Sequence, residues 1–125
     1  METRHVFYFV ASDCAPGLDE KFNRWFDEVH IPLLLKFRKL KNVSRYRLTE
    51  LRGEVVSRYK PAENWPKYLT VYEFEDLQAV EEYLTSAELE AARQEMLQTW
   101  KEGEVEVKWR AHYERINTVD GTQEG

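Results

Sequence analysis

At 125 residues, 42% hydrophobic and 33% charged, the chain is long enough for one hydrophobic core and too short for two. No run approaches the roughly 18 apolar residues of a membrane span, and Met1-Glu2-Thr3-Arg4-His5 leads into a strand-like segment without a signal-peptide core, so no membrane partner and a cytoplasmic address are expected. A net charge of −5, with basic residues clustered only from Lys36 to Arg47, argues against nucleic acid as a partner; the single Cys14 leaves no internal disulfide and suits a reducing compartment.

His5 to Ser12 is rich in β-formers, with Phe7, Phe9 and Ala11 on one alternating face and Val6, Tyr8 and Val10 on the other. Both faces are apolar, as in a central strand. After the turn Ser12 to Gly17, the periodicity predicts a helix from about Leu18 to Leu35, disturbed at Pro32, continuing as a turn through Leu40 and closed by Asn42. At about 100° per residue, Phe22, Trp25, Phe26, Val29 and Leu33 gather into one apolar stripe, with His30 on its flank and Asp27 further round toward water. Pro32 lacks an N–H and its ring clashes with the carbonyl of Glu28, which loosens the backbone where His30 projects and gives room for a pocket. On a regular helix Asp27 reaches His30 from three residues away, the local geometry of a general base with an orienting acid. The same position also suits a hydrogen-bonded, partly buried histidine.

Val43 to Leu51 alternates with one polar face, as on a sheet edge. Residues 53–66 form the longest irregular stretch, although Val55 to Tyr59 could extend the preceding strand as a ribbon; such a length suits a lid or binding segment. There Arg58, Tyr59, Lys60 and Trp65 could meet an anionic aromatic ligand, while Trp65 would more simply pin the loop to the body. Tyr68 to Glu75 reads as a strand, and Asp76 as the N-cap of a helix carrying Leu77, Val80 and Leu84 at i, i+3 and i+7. Thr85-Ser86 marks a break, followed by a helix over Ala87 to Lys101 presenting Leu89, Ala92, Met96 and Trp100, which Glu102-Gly103 stops. Glu104 to Glu114 is the clearest alternation, with Val105, Val107, Trp109, Ala111 and Tyr113 opposite Glu106, Lys108, Arg110, His112 and Glu114. One domain over 1–116 and a mobile tail over 117–125 are expected.

The order strand, helix, strand, strand, helix, strand makes two βαβ halves, the pattern of a ferredoxin-like α+β sandwich with a four-stranded antiparallel sheet and helices on one face. The first strand is apolar on both sides, and Trp109 and Tyr113 add to its uncovered side, so a lone copy would leave a large apolar area in water. The simplest cover is a second copy, in a homodimer whose sheets pack face to face as a closed α+β barrel.

The run Trp25-Phe26-Asp27-Glu28-Val29-His30-Ile31-Pro32, followed by Leu33 to Leu35, and the run Tyr68 to Leu77 resemble the EthD-like branch of the dimeric α+β barrel superfamily, over about residues 5–114. The first motif is fairly specific to that branch; the second is shared more widely. The resemblance implies a dimer with a small hydrophobic pocket in each subunit between sheet and helices, often with an acid/base histidine. That superfamily includes cofactor-free polyketide cyclases, muconolactone isomerases, small monooxygenases and ring-degradation proteins, so it implies no single reaction. His30 and Asp27 match the branch's helix motif. Some cyclases carry a catalytic histidine at the start of the third strand, where this chain has Tyr68, and no motif here places an axial histidine for haem.

A cavity walled by Phe7 or Tyr8, Phe22, Phe26, Val29 and Trp100 would suit a flat aromatic or polyketide-like substrate. Tyr46, Tyr72 and His112 are the polar candidates from the strands, each equally at home as a hydrogen-bonded core or surface residue. No metal-ligand spacing, nucleophile elbow or Gly-rich phosphate loop is present, since Gly17, Gly53 and Gly103 are isolated, so neither metal nor cofactor is expected. The chemistry then available is proton transfer, with His30 as base and a tyrosine hydroxyl supporting an oxyanion, in a lyase, isomerase or cyclase of aromatic catabolism or secondary metabolism. Two alternatives are a cofactor-free monooxygenase of a phenolic substrate and a non-catalytic dimeric protein that binds an aromatic metabolite.

Overall fold

The computed structural model describes residues 4–52 and 58–121. The elements run β1 (Val6–Cys14), α1 (Asp19–Trp25), a π-helical turn (Phe26–His30), α2 (Ile31–Leu34), β2 (Leu40–Arg47), β3 (Tyr68–Phe74), α3 (Leu77–Leu84), α4 (Ala87–Thr99) and β4 (Val105–Glu114). The strands form one sheet in the order β2-β3-β1-β4, with every neighbouring pair antiparallel. This is the expected ferredoxin-like topology, with the doubly apolar β1 at its centre. No described helix is long and apolar enough to cross a membrane.

The core lies between the sheet and the helices in two clusters. One joins Val6, Tyr72 and Phe74 of the sheet to Leu34, Ala79, Val80, Tyr83 and Ala92; the other joins Cys14 and Tyr68 to Phe22, Trp25, Phe26 and Trp100. β3 shows why the sheet has two unlike sides: Tyr68, Thr70, Tyr72 and Phe74 are buried, and the residues between them only partly so. α3 and α4 begin where short polar side chains accept the first free amides. Ala79 N–H donates to Asp76 Oδ1 at 2.8 Å, as the sequence predicted, and Leu89 N–H donates to Ser86 Oγ at 3.1 Å.

The first helical region ends at Leu34, within one residue of the expected end, and the chain continues as the expected turn to Leu40, with Phe37 N–H donating to Leu34 O at 3.0 Å and Leu40 N–H to Phe37 O at 3.1 Å. Several local expectations are corrected. Leu40 opens β2 because it buries against the core opposite Phe74, and Asn42 is a strand residue whose amide donates to Glu73 Oε1 at 3.0 Å, not a helix cap. α3 buries Ala79, Val80 and Tyr83, while Leu77 and Leu84 stay largely exposed. The ribbon predicted from Val55 lies outside the described residues up to position 57, as do residues 1–3 and the end of the tail, 122–125.

The largest correction concerns β4. Ala11 faces Trp109 but Ser12 faces Val107, so Lys108 is an extra residue, a β-bulge that reverses the alternation. On the helix side, Val105 and Val107 therefore share the sheet face with Arg110 and His112, while Trp109, Ala111 and Tyr113 stand on the opposite face beside Ala11, Phe9 and Phe7. That opposite face also carries Leu69 and Val71 from β3, with Tyr113 edge-on to Phe9 at 5.1 Å between centroids. Trp65 does not reach the helix-side core; its ring lies 6.3 Å from Trp109. The uncovered side of the sheet is thus apolar.

Candidate functional site

The site is built on the π turn, and Pro32 explains it. Proline offers no N–H to the carbonyl of Glu28 and its ring collides with it. The preceding amide instead reaches one residue further back, Ile31 N–H donating to Phe26 O, which widens the helix by one residue. Five residues apart on a regular helix stand about 140° apart. In the widened turn His30 stacks on Trp25, 4.7 Å between centroids and 23° between planes, and meets Phe26 edge-on at 5.0 Å. The imidazole is thereby held against aromatic walls.

Those walls belong to a cavity of ≈ 220 Å³ between the two core clusters, lined by Tyr8, Val10 and Tyr72 from the sheet and by Phe26, His30 and Met96 from the helices, among others. Nδ1 of His30 is buried without a hydrogen-bond partner. Burial pushes the imidazole down to about 4, against a smaller upward pull from Glu95, so His30 is neutral at physiological pH and has an unused ring nitrogen. Ser12 Oγ, on the same wall, is likewise buried and unpartnered. Leaving such groups unpaired costs about 1–3 kcal/mol each. Burial raises the phenols of Tyr72, Tyr83 and Tyr8, in the first two cases strongly, so all three remain O–H donors.

The predicted site residues divide. His30, Tyr72, Tyr8, Phe22 and Phe26 meet at the cavity. Asp27 does not orient His30; its exposed carboxylate accepts from Arg45 Nη1 at 3.2 Å, because the π turn carries His30 out of its reach. The acid whose charge acts on His30 is Glu95, whose two oxygens accept from Trp25 Nε1 at 2.8 Å and from Thr99 Oγ1. Tyr46 is exposed at 55% on the uncovered side of the sheet. Val29 and Trp100 pack in the second core cluster behind the cavity wall. His112 stacks on Tyr8 at 4.3 Å from the solvent side. Tyr68 is committed elsewhere, its hydroxyl donating to Asp19 Oδ2 at 2.6 Å; with Lys67, also bonded to that oxygen at 2.8 Å, it holds Asp19 down to about 2.

Sequence reasoning missed Ser12, Tyr83, Glu95 and two arginines that line the cavity, Arg93 and Arg110. Glu95 was in principle legible, one turn before Thr99 on the helix packed over Trp25. Arg110 was not, because it reads as one more charged residue on a wet face, with nothing to mark it as lining a cavity. Among the described residues no group of three or more His, Cys, Asp or Glu side chains is placed to hold a metal ion.

The same fold occurs in HapK from Hahella chejuensis, which is 10% identical, with a TM-score of 0.65 over 94% of this chain and 99% of that one. An ethyl tert-butyl ether D (EthD) family protein from Bacillus halodurans C-125 is 11% identical, with a TM-score of 0.56 over 87% and 97% of the two chains. A dimeric ferredoxin-like protein of unknown function from Jannaschia sp. CCS1 is 12% identical, with a TM-score of 0.52 over 82% and 94%. At such identities the likeness is one of fold. No curated protein matches the sequence. One family model, described as a domain of unknown function, DUF4286, matches residues 5–110, a span holding every strand and helix except the last residues of β4, and the chain belongs to that family.

Proposed function

We propose that the protein is a cofactor-independent enzyme that acts on a small aromatic compound by proton transfer, with His30 as the base, in lyase, isomerase or cyclase chemistry. The observation that carries this reading is the neutral, unpartnered His30 Nδ1 on the wall of an aromatic cavity. Apolar walls with few polar groups bind a flat ring; a desolvated imidazole can take a proton from a phenol or an acidic carbon, and the phenols of Tyr72 and Tyr83 can donate to the oxyanion that forms. The charge of Glu95, which pulls the imidazole upward, favours the imidazolium that forms. The apolar sheet face is read as the contact between two copies, in keeping with the dimeric ferredoxin-like neighbour.

The test is a phenolic panel followed by NMR of the His30 and Trp25 rings, with turnover of any compound that shifts them. Loss of turnover with retained binding in His30→Gln supports the base; equal turnover in both proteins refutes it. A second reading has its own observation: an imidazole pushed down to about 4 is a weak base in the empty cavity. On that reading the protein binds an aromatic metabolite without converting it, and no compound that binds is consumed. Dioxygen uptake with a bound phenol would instead mark a cofactor-free monooxygenase.

A further inference from the structure

We infer that the cavity takes an anion, a single-ring aromatic carboxylate whose carboxylate pairs with Arg110 at the rim; this rests on the reading of the cavity as a substrate site. Three independent features lead there. The first is the bulge at Lys108. Had β4 kept the alternation it starts with at Val105, Arg110 would face the uncovered side of the sheet; the extra residue turns it to the helix side, where it lines the cavity. Bulges beside sites commonly re-aim one side chain in this way.

The second is the state of that guanidinium. Arg110 is exposed at the cavity mouth and makes no hydrogen bond or ion pair among the described residues, so its guanidinium is solvated and open to an anion. Its cross-strand neighbour is Val10, and the groups that feel its charge are the phenols of Tyr8 and Tyr72. A planar fork of donors beside an apolar cavity matches a carboxylate, which it can hold through two parallel bonds. Ser12 Oγ, 3% exposed as a residue and without a partner, offers one further donor from the same wall. Arg93 also lines the cavity but is already bonded to Glu90 at 3.4 Å.

The third is size. A dry cavity of about 150 Å³ admits benzene, so ≈ 220 Å³ accommodates one ring with small substituents better than a fused pair of rings.

The test compares 4-hydroxybenzoate with its uncharged counterpart 4-hydroxybenzamide, and with the two-ring 6-hydroxy-2-naphthoate, by titration against the full chain, Arg110→Gln and Arg93→Gln. The expected result is a preference of at least tenfold for the benzoate over the amide and over the naphthoate. Arg110→Gln should reduce the acid-over-amide preference to within twofold without weakening the amide, and Arg93→Gln should keep it. Equal binding of acid and amide, or an unchanged preference in Arg110→Gln, overturns the anion inference and leaves an aromatic cavity standing. Tight binding of the naphthoate overturns the single-ring assignment. If neither benzoate nor benzamide at millimolar concentration moves the Trp25 and His30 signals, both this inference and the substrate-site reading fall.

Discussion

The burial of His30 has a consequence for stability that can be measured without any ligand. Its imidazole is pushed from the ordinary 6.5 to about 4 in the fold, chiefly by burial. Below pH 6.5 the unfolded chain binds a proton that the folded chain refuses, so stability is complete above that pH, falls as the pH drops, and stops falling on this account below about 4. At about 1.4 kcal/mol per pH unit, the full penalty for charging His30 inside the fold is ~3 kcal/mol, and between pH 7.5 and 4.5 about 2.5 kcal/mol of it should appear. Urea unfolding at several pH values and one fixed protomer concentration, for the wild type and His30→Gln, reads it directly. Acids such as Asp19 contribute equally to both proteins, so the difference between the two pH profiles isolates the imidazole. Parallel profiles from pH 7.5 to 4.5 would mean that water reaches His30 freely, and the neutral, desolvated base would be lost with it.

Three further outcomes are expected. Asp27→Ala should change stability by less than about 1 kcal/mol, as for an exposed ion pair, and should leave ligand-induced shifts of the His30 ring as they are, whereas Glu95→Ala should diminish them; the reverse order would restore Asp27 as the orienting acid. Asp76→Ala should cost about 1 kcal/mol in urea unfolding through loss of the cap to Ala79 N–H, and a cost within error would remove that bond from the account of α3. Val71→Lys, on the uncovered sheet face beside Phe9, should turn a dimer into a monomer in sedimentation at micromolar protein; a wild type that already sediments as a monomer would contradict the reading of that face.

How legible the chain was depends on how local each rule is. β1, β3 and the pair α3 and α4 follow from alternation, a capping aspartate and the Thr85-Ser86 break, all signals carried within a few residues. The topology followed from their order. β2 began early because Leu40 finds its partner in Phe74, 34 residues away, a contact no window of sequence contains. That Val105 and Val107 share a face with Arg110 was hidden for a related reason. A bulge is a mismatch between two strands, and β4 alone reads as an unbroken alternation through Lys108.

At the helix turn the sequence held the cause but a regular helix was the wrong ruler for its effect. Pro32 loosens the backbone at His30, as its missing N–H requires; yet counting at about 100° per residue places Asp27 beside the imidazole and Trp25 far round the helix. The π turn, in which Ile31 N–H donates to Phe26 O, inverts both placements, bringing Trp25 onto the ring and leaving Asp27 to Arg45. A histidine with an adjacent carboxylate would be held charged near neutrality, whereas one packed between Trp25 and Phe26 stays neutral and can accept a proton. Pro32→Ala returns an N–H to the chain and lets Glu28 O accept it, closing the turn to a regular helix. The Trp25–His30 stack should then be lost, seen as loss of the upfield ring-current shift on the His30 protons, and the imidazole should titrate closer to 6.5. Retention of both in that variant would assign the π turn to packing by Trp25 and Phe26 rather than to the missing amide of Pro32.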